Sequence, residues 1–208
     1  MARERITITV NKDLLAAVDR TVDGATVRNR SHAMEMALAK VFLKRPAKAL
    51  ILAGGREIRL PQAAGELPKA MLPVQGRPLL EHMLLRLKLA EVEQVVVSLG
   101  PGGQKIKDYF RSGSRFGLDI SYLEQIGLKR GTAQPLKQAQ SQLMDGSFFL
   151  LYGDVLADID FADFLEFHQS QPHLPATMAL ASAPQANFWG MARLVGSRVA
   201  QFEEKPKN

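Results

Sequence analysis

The sequence predicts an α/β protein with a mostly parallel sheet covered by helices on both faces, preceded by a small β-α-α segment. Residues 47–208 alternate short apolar runs with amphipathic helical patterns, which is typical of a parallel sheet. Residues 5–10 alternate strictly between polar and apolar side chains, which is typical of a half-buried strand. Residues 1–48 carry ten Lys or Arg against five Asp or Glu, whereas the remainder carries seventeen against sixteen. We therefore predict two domains, residues 1–46 and residues 47–208.

The composition is that of a globular chain. With 208 residues and 46% hydrophobic side chains, it can bury a substantial core. Apolar runs fall well short of the ~20 residues of a membrane span, and the charged start MARERITITV is unlike a signal peptide. We therefore expect a cytoplasmic protein without membrane contact. The absence of cysteine excludes disulfides and thiolate metal sites, and the four histidines lack zinc-ligand spacing.

The N-terminal strand pattern separates two kinds of side chain, with Ile6, Ile8 and Val10 on one face and Arg5, Thr7 and Thr9 on the other. Helical patterns follow at 13–22 and 31–43, and Asn29 or Ser31 can cap the second helix. One strand and two short helices bury too little surface to fold alone. We therefore expect the strand to pair antiparallel with its copy in a homodimer, as a ribbon that fits the DNA major groove.

This segment resembles the ribbon-helix-helix family of dimeric DNA-binding proteins through RITITVNKDLLAAVD and NRSHAMEMAL. The resemblance implies that Arg5, Thr7 and Thr9 contact bases, while backbone amides near Ser31 and His32 bind phosphate. The alternative is a ribbon that only dimerises. The hydrogen-bonding groups on the outward face and the local surplus of positive charge favour DNA binding.

The second domain shows strand and helix patterns in alternation. We expect strands at 49–53, 94–99, 119–123, 147–152, 176–181, 190–194 and 198–202, and helices at 79–90, 104–111, 133–143 and 161–169. In a parallel sheet of this kind, ligands bind beyond the carboxyl ends of the strands.

Residues that can bind phosphate or a metal ion lie near these strand ends. The first strand leads into Gly54-Gly55, which allow close backbone approach to an anion, and Arg59 can bind phosphate oxygens in a bidentate way. Lys69 stands between prolines that fix its loop, as expected of a group that stabilises phosphate charge. Asp154 ends an apolar strand, where a carboxylate is costly unless it is solvated, paired or bound to a cation such as Mg²⁺. Each has a plain structural alternative, but their joint placement at strand ends favours a site.

From residue 49 to the chain end, the sequence resembles the sugar-phosphate nucleotidyltransferases, which make nucleoside-diphosphate sugars from sugar 1-phosphates. The similarity lies in LAGG, LPKAMLPVQGRPLLEH, GTA, YGDVLADID and EKP, in that order. It implies a Rossmann-like sheet that binds a nucleoside triphosphate and a sugar 1-phosphate. The implied site comprises a phosphate loop at Ala53, Gly54, Gly55 and Arg59, catalytic charge stabilisation by Arg59 and Lys69, nucleoside contacts at Gly131 and Thr132, Mg²⁺ at Asp154, and sugar-phosphate contacts from Glu204 and Lys205.

The sequence departs from that family in two places. The family loop reads G-G-x-G-T-R-L-x-P, and here Glu57, Ile58 and Gln62 replace its third glycine, threonine and proline. A carboxylate at ~5 Å from a phosphate, with an effective dielectric near 20, costs roughly 3 kcal/mol. Family members also continue beyond E-K-P, so we expect this chain to be a fragment with little or no turnover.

Three hypotheses follow from the sequence. The first is a nucleotidyltransferase fused to a DNA-binding module. The second is a transcriptional regulator that senses a nucleotide or sugar nucleotide without catalysis, which Glu57 favours. The third is an enzyme in which the ribbon only dimerises the chain.

Overall fold

The structure is a computed structural model that describes residues 6–42, 47–54, 57–59, 66–124, 131–144, 146–171 and 173–206. For residues 39–42, 57–59 and 186 it describes the backbone alone. The chain packs as two compact units, Met1–Ala162 and Asp163–Asn208. The boundary between residues 46 and 47 that the sequence suggests stays a prediction.

The elements alternate along the chain as the sequence pattern indicates. The helices are α1 (Lys12–Thr21), α2 (Arg30–Phe42), α3 (Leu79–Leu89), α4 (Gly103–Phe110), α5 (Ala133–Gln138), α6 (Gln140–Leu143) and α7 (Phe161–Gln169). The strands are β1 (Lys48–Ala53), β2 (Glu57–Arg59), β3 (Glu66–Pro68), β4 (Pro73–Val74), β5 (Arg77–Pro78), β6 (Gln94–Leu99), β7 (Asp119–Glu124), β8 (Phe148–Tyr152), β9 (Gly190–Val195) and β10 (Arg198–Glu204).

Both N-terminal helices begin at asparagine caps. The Asn11 side chain accepts a hydrogen bond from the Leu14 amide at 2.7 Å, and the Asn29 side chain accepts one from the His32 amide at 2.9 Å. These bonds satisfy amides that a helix start leaves unpaired, which explains where α1 and α2 begin. The cap at Asn29 is one of the two that the sequence allowed.

The N-terminal helix pair buries little of its own apolar surface. Among residues 6–38, Ala33 is the one described residue that is buried, while Ile6, Ile8 and Leu14 are 68%, 52% and 53% exposed. Residues 6–10 form no strand in the single chain, and a strand requires a hydrogen-bonded neighbour. The ribbon between two copies therefore stays a prediction.

Four parallel strands form the central sheet in the order β7-β6-β1-β8. On one face, Leu50 and Leu52 of β1 lie in a buried cluster with Ala139 and Leu143 of the α5–α6 segment. On the opposite face Ile51 is fully buried as well. Burial on both faces explains why the central strands read as continuous apolar runs. The predicted α/β fold with a parallel sheet and helices is confirmed.

The four strands expected for this sheet appear within one residue of their predicted bounds, and the strands expected at 190–194 and 198–202 form the antiparallel β9–β10 hairpin. The strand expected at 176–181 is wrong, since these residues adopt no regular structure. The short apolar run there fits a strand, but the structure describes no hydrogen-bonded strand beside it. The helix expected at 133–143 is interrupted at Ala139.

Two small antiparallel pairs follow β1 that the sequence pattern did not predict. In the first, β2 pairs with β3 so that Arg59 is opposite Glu66. In the second, β4 pairs with β5 around a turn in which Gln75 and Gly76 have φ of 48° and 80°. Strands of two or three residues are too short to give a periodic signal. Among the helices that the structure describes, none combines the length and apolarity needed to cross a membrane.

Candidate active site

The predicted site is at the carboxyl ends of the two parallel strands β1 and β8. The Gly153 amide donates a hydrogen bond to the Leu52 carbonyl at 2.9 Å. A Cβ placed on Gly153 would be 3.2 Å from the Ala53 Cβ, so the glycine lets the two strand ends approach closely. Asp154 therefore leaves the sheet directly beside the end of β1.

Lys69 lies in a short turn of fixed geometry. Pro68 is fully buried, and Lys69 begins a single 3-10 turn that ends at Met71. The Leu72 amide donates to the Lys69 carbonyl at 3.1 Å and closes this turn. Ala70, the next residue, is buried with 2% of its surface exposed. This turn holds Lys69 in a defined loop, as the flanking prolines predict.

The structure brings Lys69 and Asp154 together. The Lys69 Nζ lies 3.4 Å from the Asp154 Oδ2, although the two residues come from different segments. Their side chains are 43% and 34% exposed, so both groups remain open to a ligand. An ion pair this accessible to water contributes only about 0–1 kcal/mol to stability. What it does provide is an ammonium and a carboxylate at one point of the sheet edge.

Helix α3 contacts the segments that follow both residues. On the Lys69 side, the His82 Nε2 hydrogen-bonds the Val74 carbonyl at 2.8 Å. On the Asp154 side, the Arg86 guanidinium donates to the Ala157 carbonyl and to the Asp158 carboxylate. One rigid helix thus supports both halves of the pair. Sequence reasoning missed Arg86, because an arginine on an amphipathic helix gives no sign of its partner.

The phosphate loop is described in part. Gly54 directly follows β1, and Gly55 lies outside the described residues. Glu57 and Arg59 are the first and last residues of β2, and the structure describes their backbone alone. Glu57 therefore has the extended backbone of a strand residue, so this position does not require the positive φ that favours glycine.

The predicted nucleoside contacts are at the start of α5. Gly131 has a φ of 153°, which favours glycine, and Thr132 immediately precedes the helix. Both residues are exposed. Residues 125–130, which precede them, lie outside the described residues.

The predicted sugar-phosphate contacts belong to the second compact unit. Glu204 ends β10, and the Lys205 amide donates to the Trp189 carbonyl at 3.0 Å. A Cβ on Gly190 would be 2.5 Å from the Phe202 ring and 2.8 Å from the Glu204 carboxylate, so a larger residue there would displace these two side chains. The hairpin fixes Glu204 and Lys205 within their own unit.

Comparison with known proteins places this geometry in a family. The family described as Nucleotidyl transferase matches residues 48–208. The chain belongs to the nucleotidyl transferase family. A Sulfolobus acidocaldarius protein assigned as a mannose-1-phosphate guanyltransferase is 34% identical over 160 residues, covering 76% of this chain and 44% of the relative. The N-acetylmuramate alpha-1-phosphate uridylyltransferase of Neisseria meningitidis is 36% identical over 141 residues, covering 67% and 61%.

A solved structure agrees with the family assignment. A Bacillus anthracis protein assigned as a glucose-1-phosphate thymidylyltransferase, crystallised with a sucrose, superposes with a TM-score of 0.70 at 26% identity. The superposition covers 78% of this chain and 65% of that one. The chain thus spans less than two thirds of the length of each of these three proteins.

The N-terminal residues precede the part matched to the nucleotidyl transferase family. Thr7, Thr9 and Ser31 are exposed, and His32 lies in the first turn of α2 with its side chain partly buried. Arg5 lies outside the described residues. The exposed threonines and the helix start agree with the sequence argument, and DNA contact by these residues stays a prediction.

Proposed function

We propose that the protein transfers a nucleotidyl group from a nucleoside triphosphate to a sugar 1-phosphate and releases pyrophosphate. The observation that carries this proposal is the position of Lys69 3.4 Å from Asp154 at the carboxyl end of the sheet. The names of the Sulfolobus and Neisseria relatives support it, since both describe nucleotidyl transfer to a 1-phosphate substrate.

The reaction requires charge control more than covalent chemistry. A phosphate oxygen of the sugar 1-phosphate attacks the α-phosphorus, the new P–O bond forms, and the bond to the β-phosphate oxygen breaks as pyrophosphate leaves. The two polyanions must be held together against their repulsion. Lys69 would neutralise charge on the triphosphate, and Arg59 would do so from β2.

The carboxylate of Asp154 fits a metal that arrives with the nucleotide. Among the described residues, no group of three His, Cys, Asp or Glu side chains could hold a metal ion alone. Mg²⁺ commonly takes one or two carboxylates and completes its shell with phosphate oxygens and water. When bound there, Mg²⁺ would withdraw charge from the phosphoryl oxygens.

The other predicted site residues would bind the remaining parts of the two substrates. Backbone amides at Ala53, Gly54 and Gly55 would bind phosphate oxygens, and Gly131 and Thr132 would contact the nucleoside. Glu204 and Lys205 would contact the sugar phosphate. Close backbone approach at the glycines is what such an anion site requires.

We further propose that residues 1–46 form a homodimeric DNA-binding module. The exposed apolar positions Ile6, Ile8 and Leu14 support this proposal, because a second copy would cover them. Thr7 and Thr9 face outward with hydrogen-bonding groups, and the surplus of Lys and Arg in residues 1–48 suits a polyanion.

A measurement of turnover distinguishes the hypothesis of an enzyme from that of a non-catalytic sensor. The full-length gene product is assayed for pyrophosphate release with a panel of nucleoside triphosphates and sugar 1-phosphates. Release with one pair, lost in Asp154→Asn, supports the enzyme. If no pair of substrates releases pyrophosphate but the protein still binds a triphosphate, the result supports a sensor that regulates transcription without catalysis.

The DNA-binding proposal has its own test. Arg5→Ala is expected to weaken specific DNA binding by about 1–3 kcal/mol and to relax base preference. Affinity should fall as salt rises, with a logarithmic slope near 0.9 for each phosphate neutralised. A homodimer that retards no DNA at low salt would leave dimerisation as the role of this segment.

A further inference from the structure

We propose that Gly100 and Lys105 are positioning residues that hold the phosphate loop from two sides. Gly100 lies on the connection from β6 into α4, and Lys105 lies in the first turn of α4. The inference rests on the proposed function, since it concerns the loop that would bind the triphosphate.

Gly100 lies against the start of that loop. A Cβ built on Gly100 would be 2.7 Å from the Gly54 carbonyl oxygen and 2.8 Å from its Cα. These are backbone atoms, which cannot rotate away as the end of a side chain does. Gly100 itself does not have a positive φ, so the requirement for glycine here is one of space. Any larger residue has to displace Gly54 from its place beside the end of β1.

Lys105 reaches the other side of the loop. Its ammonium donates a hydrogen bond to the carbonyl of Glu66, and Glu66 is paired with Arg59 across β2 and β3. The lysine thereby ties α4 to the strand that carries the proposed phosphate ligand Arg59. Because Lys105 is exposed, this bond forms in competition with water, and its value lies in fixing a position.

The helix that carries Lys105 is itself firmly packed. Ile106 and Phe110 of α4 are 0% and 1% exposed, and a Cβ on Gly103 would be 2.8 Å from the Leu99 side chain. The first turn of α4 is therefore a fixed support. Gly100, just before α4, limits the position of Gly54, and Lys105, in the first turn of α4, limits the position of Glu66.

The test compares two variants with two matched controls in the full-length gene product. Gly100→Ala introduces the clash with Gly54, whereas Gly146→Ala places a Cβ where no atom lies within 4 Å. Lys105→Ala removes the bond to Glu66, whereas Lys88→Ala removes an exposed helical lysine elsewhere. Affinity for inorganic tripolyphosphate in the presence of Mg²⁺ is measured by calorimetry, and amide exchange is followed at residues 51–54 and 66–69.

We expect Gly100→Ala and Lys105→Ala to weaken tripolyphosphate binding by about tenfold, since small displacements of an aligned site are costly. Exchange at residues 51–54 should rise in the first variant and at 66–69 in the second, with both controls unchanged. In turnover, the KM for the nucleoside triphosphate should rise while the KM for the sugar 1-phosphate stays the same, a split that general destabilisation does not produce.

Failure of this inference and failure of the proposed function give different results. If the parent protein binds tripolyphosphate and Gly100→Ala and Lys105→Ala bind it equally well, the positioning role is overturned and the function stands. If the parent protein binds no tripolyphosphate but the two variants raise exchange at the stated amides, the support of the loop is upheld and the proposed function fails. Unchanged exchange in both variants overturns the inference in either case.

Discussion

The N-terminal helix pair and the parallel sheet differ in where their apolar side chains lie. Leu50, Ile51 and Leu84 around the sheet are completely buried, whereas Ile6 and Leu14 are 68% and 53% exposed. Burial of apolar surface supplies most of the free energy that favours folding. The sheet therefore contains what it needs for its own stability, and the helix pair needs contacts beyond those described in the single chain. The two regions also differ in their candidate chemistry, because the Lys69–Asp154 pair lies at the edge of the sheet.

The largest difference should appear when one leucine from each region is shortened. Leu84→Ala leaves a cavity in the fully buried core and should lower the free energy of unfolding by about 2–5 kcal/mol. Leu14→Ala, measured at a protein concentration low enough to keep the chain monomeric, should change it by about 0.5 kcal/mol or less. Denaturant titration of both variants checks this. Similar losses in the two would show that α1 is packed in the monomer and would remove the contrast.

The next largest effect concerns the chemistry of the sheet. Lys69→Ala removes a preorganised positive charge and should lower kcat for nucleotidyl transfer about a hundredfold. Lys88→Ala, which removes an exposed lysine from α3, serves as the control and should retain full activity. Pyrophosphate release measured with saturating substrates provides both values. Full activity of the Lys69 variant would leave the ion pair as a structural contact only.

The sequence predicted that Lys69 and Asp154 lie near each other, whereas the roles of the site residues stay predictions and three contacts were missed for physical reasons. Asp154 follows the predicted strand β8, which is parallel to β1, so its place at this edge of the sheet follows from topology, whereas Lys69 follows the short strand β3, which the sequence pattern did not predict. Arg86, Gly100 and Lys105 contact backbone atoms of distant segments, and Arg86 also contacts the Asp158 carboxylate. A contact to a carbonyl depends on position alone and not on the identity of the partner residue, so no sequence pattern marks it.

The fold, too, was predictable where local sequence determines it and not where it depends on contacts with distant segments. Strands buried on both faces gave long apolar runs and were predicted within a residue, whereas β2 and β3 are too short to have a period. The segment 176–181 is a short apolar run of the kind that predicts a strand, and yet it forms no strand. Strand structure depends on a neighbour that donates and accepts hydrogen bonds, which local sequence does not supply.

A smaller effect should test the partner of the N-terminal region. Ile8→Ala removes apolar surface from the exposed face and should weaken the homodimer by about tenfold. Thr9→Ala alters the neighbouring residue, on the opposite face of the predicted ribbon, and should leave the dimer intact. Sedimentation velocity over a dilution series gives both dissociation constants. A monomer in every variant, the parent protein included, would show that something other than a second copy covers these side chains.

The smallest effect concerns Glu57, where the sheet's chemistry departs from that of its family. Glu57 lies in β2 and has an extended backbone, which any residue can adopt. Glycine at this position would therefore differ from glutamate in bulk and charge, and its conformational freedom would not be required. Removing the carboxylate removes a repulsion toward phosphate, and because water and salt screen this repulsion below the roughly 3 kcal/mol expected at ~5 Å with an effective dielectric near 20, Glu57→Gly should tighten triphosphate binding by about tenfold or less. Glu57→Gln is the matched control, because it removes the charge and keeps the size. If Gln restores as much affinity as Gly, charge is the cause; if only Gly does, bulk at the loop is. Affinity unchanged in both variants would mean that the Glu57 side chain points away from the nucleotide, and the family's third glycine would then have no bearing on binding in this protein.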